Sequence, residues 1–218
     1  MRKFVRENSL TLAMTALFVF ALLGQIATGW DVYNQDQVEH GGQAVDIGAY
    51  LTSGHFGEAV FENWESEFLQ MALFVVLTVW LRQKGSAESK SLDEKEEVDR
   101  EPDPKRAGAP WPVRVGGLVG ALYARSLSIA LFILFALSFT LHVVTGAAEY
   151  SADEIEHGAT AVSPLQYLGT SQMWFESFQN WQSEFMSIGA LVVLAIFLRQ
   201  KGSPESKPVD APIGKTGD

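Results

Sequence analysis

Cysteine is absent from the 218 residues, which excludes disulfides, thiolate metal sites and cysteine nucleophiles. Basic residues are missing from two long stretches. None of the 16 Lys and Arg lies between Glu7 and Leu81 or between Ser126 and Leu198. Nucleic-acid partners are not expected, because the few bases border apolar segments and form no extended basic face. There is no Gly-rich phosphate loop, no Ser-His-Asp order and no nucleotide fingerprint.

Long uncharged runs are present instead. Ser9 to Thr28 and Ser126 to Thr145 are each about 20 residues, enough to cross a hydrocarbon core of roughly 30 Å. Phe68 to Leu81 and Phe185 to Leu198 are shorter, about 14 residues each, and are ambiguous alone. The first run follows Met-Arg-Lys, yet it lacks a clean cleavage signal and recurs in mid-chain, so it is read as a span and not as a signal peptide.

The recurrence extends far beyond that run. At an offset of about 117 residues, Thr28-Gly29 aligns with Thr145-Gly146 and Glu39-His40-Gly41 with Glu156-His157-Gly158. Tyr50-Leu51 aligns with Tyr167-Leu168, and Asn63-Trp64-x-Ser66-Glu67-Phe68 with Asn180-Trp181-x-Ser183-Glu184-Phe185. Arg82-Gln83-Lys84-Gly85-Ser86 aligns with Arg199-Gln200-Lys201-Gly202-Ser203. Roughly four in ten positions match over about 80 residues, which predicts a tandem duplication. The expected fold is an all-α membrane protein, with four transmembrane helices as two parallel tandem two-helix repeats and a pseudo-two-fold axis along the membrane normal. Short helices are expected in the outer segments, near Val45–Thr52 and Ser163–Gly169, with Pro164 suited to a first turn.

The expected division is residues 1–84 for the first repeat and 113–201 for the second. Residues 85–112 form a disordered cytoplasmic linker, and 202–218 a disordered tail. Both are too polar to bury a core. Val113–Tyr123, with its Gly116 and Gly120, lies at the inner interface or extends the third helix inward. The bases fall in Met1–Arg6, Arg82–Arg125 and Arg199–Asp218, so these segments and both termini are placed in the cytoplasm. The two outer segments hold 14 of the 26 acids and no base.

The returning helices carry the most informative polar residues. Glu67 precedes Arg82 by 15 positions, as Glu184 precedes Arg199, or about 22 Å of helix. With the arginines at the inner boundary, both carboxylates fall inside the core, where a charge is costly without partners. Gln25 and His142 are equivalent positions at matching depth, and Asn63 and Asn180 sit four residues before the glutamates on the same face. The expected site is therefore an outer cluster of Gln25, Asn63, Glu67, His142, Asn180 and Glu184, with Glu39-His40 and Glu156-His157 as possible covers.

Three uses remain open for it. The residues knit and cap the helices, with Trp64 and Trp181 in the interfacial belt. Alternatively Glu67 and Glu184 bind protons or cations in a transporter or channel. The third is a metal-dependent membrane enzyme in which Glu39, His40, Glu156 and His157 hold a divalent metal, although adjacent Glu-His pairs lack helical i, i+4 ligand geometry. The leading expectation is a non-enzymatic structural or accessory protein. No cofactor is predicted; the partners are the lipid bilayer and either further copies of the chain or a membrane protein. Tyr50–Gly54 and Tyr167–Ser171 sit where a potassium filter would, but neither has Thr-x-Gly-Tyr-Gly. His55, opposite Gln172, is read as a surface residue.

The repeated Asn-Trp-x-Ser-Glu-Phe followed by Arg-Gln-Lys-Gly-Ser resembles a family of bacterial four-span membrane proteins described only as a domain of unknown function. The resemblance covers nearly the whole chain apart from linker and tail. It implies a bacterial cytoplasmic membrane and supplies no activity.

Overall fold

A computed structural model describes residues 2–217. Every regular element among them is helical, and no strand occurs. A short α1 (Arg2–Glu7) leads into the long α2 (Ser9–Glu39), followed by α3 (Ile47–Leu51) and α4 (Gly54–Leu77). After a single 3-10 turn at Glu97–Asp99 come α5 (Trp111–Val115), α6 (Gly117–Tyr123), α7 (Ser126–Glu156), α8 (Pro164–Tyr167) and α9 (Ser171–Phe197).

The long helices outrun their apolar stretches. α2 and α7 each continue 11 residues past Thr28 and Thr145, to Glu39 and Glu156. α4 and α9 begin at Gly54 and Ser171, well before the Asn-Trp motifs. The apolar pattern marks where lipid would lie, whereas helix continuation needs only good backbone propensity and some tertiary support.

Three helices, α2, α7 and α9, are long and apolar enough to cross a membrane. Four such helices were expected. α4 falls short because Glu58, Glu62, Glu65 and Glu67 occupy its 24 residues. Large apolar side chains on the long helices face outward: Phe20 is 77% exposed, Leu10 72% and Ile133 62%. That is the reverse of a water-soluble interior and suits a lipid solvent.

Both short outer helices lie where the turn residues place them. Asp46 caps α3 by accepting from the Ala49 N–H at 2.9 Å. Ser163 caps α8 in a reciprocal box with Gln166, and Pro164 takes the first helical position. α5 and α6 are divided at Gly116 with φ +68°, and a turn at Ala124–Arg125 parts α6 from α7, so they are not a continuation of α7.

The chain divides into two compact units. One comprises Met1–Phe61 with Leu141–Met173, the other Glu62–Thr140 with Trp174–Asp218. In the first, Tyr50 and Tyr167 are the largest enclosed side chains. Each lies against a glycine: a Cβ at Gly29 would meet the Tyr50 hydroxyl at 2.2 Å, and one at Gly146 the Tyr167 hydroxyl at 2.6 Å. Asn34 clamps the chain before α3, accepting from Val45 N at 2.7 Å and donating to its carbonyl at 3.1 Å. Ser151 makes the corresponding pair of bonds with Val162, at 3.0 and 3.2 Å.

In the second unit the arginines Arg82 and Arg199 fold back on their own helix ends, donating to Thr78 and Val79, and to Ala195 and Ile196. This satisfies carbonyls left open at a helix C-terminus. The linker and tail positions form turns. Lys207 is 1% exposed, its ammonium enclosed by the carbonyls of Gly85, Ile213 and Lys215. Enclosure away from water pulls its pKa below the usual lysine value. Thr216 accepts from the Gly85 N–H at 2.8 Å, and Gly217 donates to the Ser86 carbonyl at 3.1 Å.

Candidate functional site

Each unit holds polar groups of the kind that a membrane interior tolerates only with partners. In the first unit two glycines make this possible. A Cβ at Gly54 would lie 2.6 Å from the Glu149 backbone nitrogen, and one at Gly57 2.5 Å from Thr145 Cγ2. Without those glycines the start of α4 could not lie directly on α7. Glu149 then receives the His55 backbone N–H, a carboxylate meeting the positive end of a helix.

The same approach serves Glu58 and His142. The imidazole of His142 is fully enclosed, and its ligand nitrogen lies within 4.8 Å of a Glu58 carboxylate oxygen. Tyr167, also fully enclosed, donates its hydroxyl to Glu58 Oε1 at 3.1 Å. An acid, an imidazole and a phenol thus share one pocket of the first unit.

In the second unit the enclosed group is Glu65, 0% exposed. Ser177 Oγ donates to its Oε1 at 2.8 Å, and Trp181 Nε1 to the same oxygen at 3.0 Å. Ser177 is itself fully enclosed. The two donors fix one carboxyl oxygen and orient the group; both are neutral.

Of the residues expected at the site, Glu67 is exposed and Glu184 half-buried, both in the second unit and within reach of each other's charge. Asn63 is exposed. Asn180 is half-buried and donates to the Glu176 carbonyl on its own helix at 3.1 Å. Gln25, in the first unit, is half-buried, and His142 is the one member of the set that is fully enclosed. Glu39, His40, Glu156 and His157 are all exposed. His40 and His157 turn their Nδ1 atoms back onto the carbonyls of Asp36 and Asp153, at 3.0 and 2.8 Å. The Asp36 carbonyl, then its carboxylate, holds the His40 pKa above the usual 6.5. His55 is no surface residue: it is half-buried among the rings of Tyr33 and Tyr50.

Glu58 and Glu65 escaped the sequence reading because neither is duplicated. Their counterparts are Phe175 and Gln182. The signal lay in their spacing: Glu58, Glu62 and Glu65 stand at i, i+4 and i+7, one stripe of a helix, on an element too apolar beyond them to be a solvated one.

Three helices long and apolar enough to cross a membrane, in a chain whose regular elements are all helical, point to the class of all-helical membrane proteins. The chain belongs to the family described as a domain of unknown function, DUF6766, whose model matches residues 1–218. No curated protein and no solved structure matches it.

Proposed function

We propose that the chain is a non-enzymatic four-span protein of the bacterial cytoplasmic membrane that binds and passes a proton or another small cation at Glu65. α4 is the fourth crossing, with Glu65 turned into the protein and Phe68–Leu77 as its apolar end. The two copies are parallel, and the base-rich segments and both termini face the cytoplasm. The base-free, acid-rich outer segments raise the local concentration of cations.

The observation that carries this reading is the enclosure of Glu65 behind two neutral donors that share one oxygen. A carboxylate withdrawn from water costs several kcal/mol unless a proton, a cation or full hydrogen bonding compensates it. If helix adhesion were its only use, Gln at this position would serve equally.

Glu65→Gln is therefore the test, in liposomes containing purified protein with a pH-sensitive or cation-sensitive dye inside. Wild type conducts and the folded Glu65→Gln protein does not. Conduction retained by Glu65→Gln, or abolished only by Glu67→Gln/Glu184→Gln, overturns the assignment to Glu65. Absence of flux in wild type overturns the reading altogether.

A further inference from the structure

The pocket of the first unit has a different chemistry from that around Glu65. We infer that Glu58 and His142 ligate a divalent first-row transition-metal ion, with Tyr167 as the hydrogen-bonding group that orients the carboxylate. The inference rests on the first unit alone and is independent of the role given to Glu65.

Ligand type comes first. The chain has four histidines and no cysteine, so any nitrogen ligand is one of those four imidazoles. His40 and His157 are exposed and turned back onto carbonyls of their own helices, and His55 is packed among tyrosine rings. His142 alone is fully enclosed, and a carboxylate oxygen lies within 4.8 Å of its ligand nitrogen. Metal–oxygen and metal–nitrogen bonds of about 2.0–2.2 Å put two ligand atoms on one ion no more than about 4.3 Å apart. The pair is therefore a bite one ion can close with a small contraction.

Geometry around the pair supports this use. Ligating carboxylates are themselves held by outer hydrogen bonds, and Tyr167 Oη supplies one to Glu58 Oε1 at 3.1 Å. Tyr167 is in turn locked against Gly146, where even a methyl group would collide with its ring. Imidazole nitrogen with carboxylate oxygen selects zinc, iron, copper or nickel over magnesium or calcium, which prefer oxygen alone.

The experiment uses the full chain, purified in detergent and stripped with a chelator. Cobalt(II) is titrated in while its visible absorption is followed, and zinc(II) binding is measured by calorimetry. Wild type is expected to take up one ion per chain saturably. His142→Ala and Glu58→Gln should weaken that binding at least about tenfold, and Tyr167→Phe, which removes only the orienting hydroxyl, by about 10–100-fold. His40→Gln/His157→Gln, at the exposed histidines, should leave it unchanged. Should His142→Ala fail to fold, Tyr167→Phe carries the test. The inference is overturned if wild type shows no saturable uptake, if uptake survives in folded His142→Ala, if Tyr167→Phe binds as wild type does, or if the exposed-histidine variant abolishes binding.

Discussion

Replacing Ser177 by Ala removes a fully enclosed hydroxyl 2.8 Å from Glu65 Oε1 and leaves the surrounding atoms in place. The loss is thus one hydrogen bond rather than a cavity. Hydrogen bonds to charged groups contribute about 1.5–3 kcal/mol in proteins generally. Polar pairs between membrane helices average about 0.6 kcal/mol and reach about 1.7 kcal/mol. Trp181 Nε1, 3.0 Å from the same oxygen, remains in the variant, so the loss stays within the overlap of the two ranges. The expected cost of Ser177→Ala is about 1.5 kcal/mol, roughly tenfold in the folding equilibrium. Reversible unfolding in mixed micelles, followed by tryptophan fluorescence, measures it. The same substitution made in a Glu65→Met protein should cost much less, because the acceptor is gone. Equal costs in the two backgrounds would refute the pairing and with it the enclosed position of Glu65.

The tyrosine-on-glycine contacts predict unequal rescue. Gly29→Ala collides chiefly with the Tyr50 hydroxyl and should cost about 1–3 kcal/mol, most of it recovered by Tyr50→Phe. Gly146→Ala meets the Tyr167 ring carbons as well, at 2.7 and 2.8 Å, so Tyr167→Phe should not rescue it; matching rescue in thermal unfolding would contradict the packing. His40 should titrate above 6.5 by NMR, and its favourable contribution is then complete below that value and lost as pH rises through the folded pKa. Asp36→Asn removes the carboxylate but keeps the carbonyl, so the titration should fall only part of the way; a wild-type value at or below 6.5 would refute the contact. Lys207→Met leaves the carbonyls of Gly85, Ile213 and Lys215 without their donor, at about 1–3 kcal/mol for buried unsatisfied groups. Amide exchange at Gly85 and Gly217, which tie linker to tail, should accelerate by about tenfold or more. Unchanged protection would refute the cradle.

Much of the fold can be read from the sequence because its signals are local. Short helices near Val45–Thr52 and Ser163–Gly169 were expected, the second from Pro164 at its first turn, and both form, at Ile47–Leu51 and Pro164–Tyr167. Helix ends were less legible. The apolar pattern stops at Thr28 and Thr145, but Asn34 and Ser151 hold the continuing helices to Val45 and Val162, and such tertiary ties leave no periodic trace. The site was least legible of all. Matching residues between the aligned segments drew attention to Glu67 and Glu184, whereas the half-buried Glu58 and the enclosed Glu65 align with Phe175 and Gln182 and left no repeated signal; His142, aligned with Gln25, was legible from its depth alone. Residues that match at this offset pack and close helix ends, as Tyr50 and Tyr167 do against Gly29 and Gly146 and as Arg82 and Arg199 do on their own helix carbonyls.

The most direct measurement of the central claim is the infrared difference spectrum of the protein in lipid as the bathing cation is exchanged. The account predicts a carboxyl band that responds to the exchange in wild type and in Glu67→Gln/Glu184→Gln, and that vanishes in Glu65→Gln. A spectrum unchanged by Glu65→Gln would contradict it.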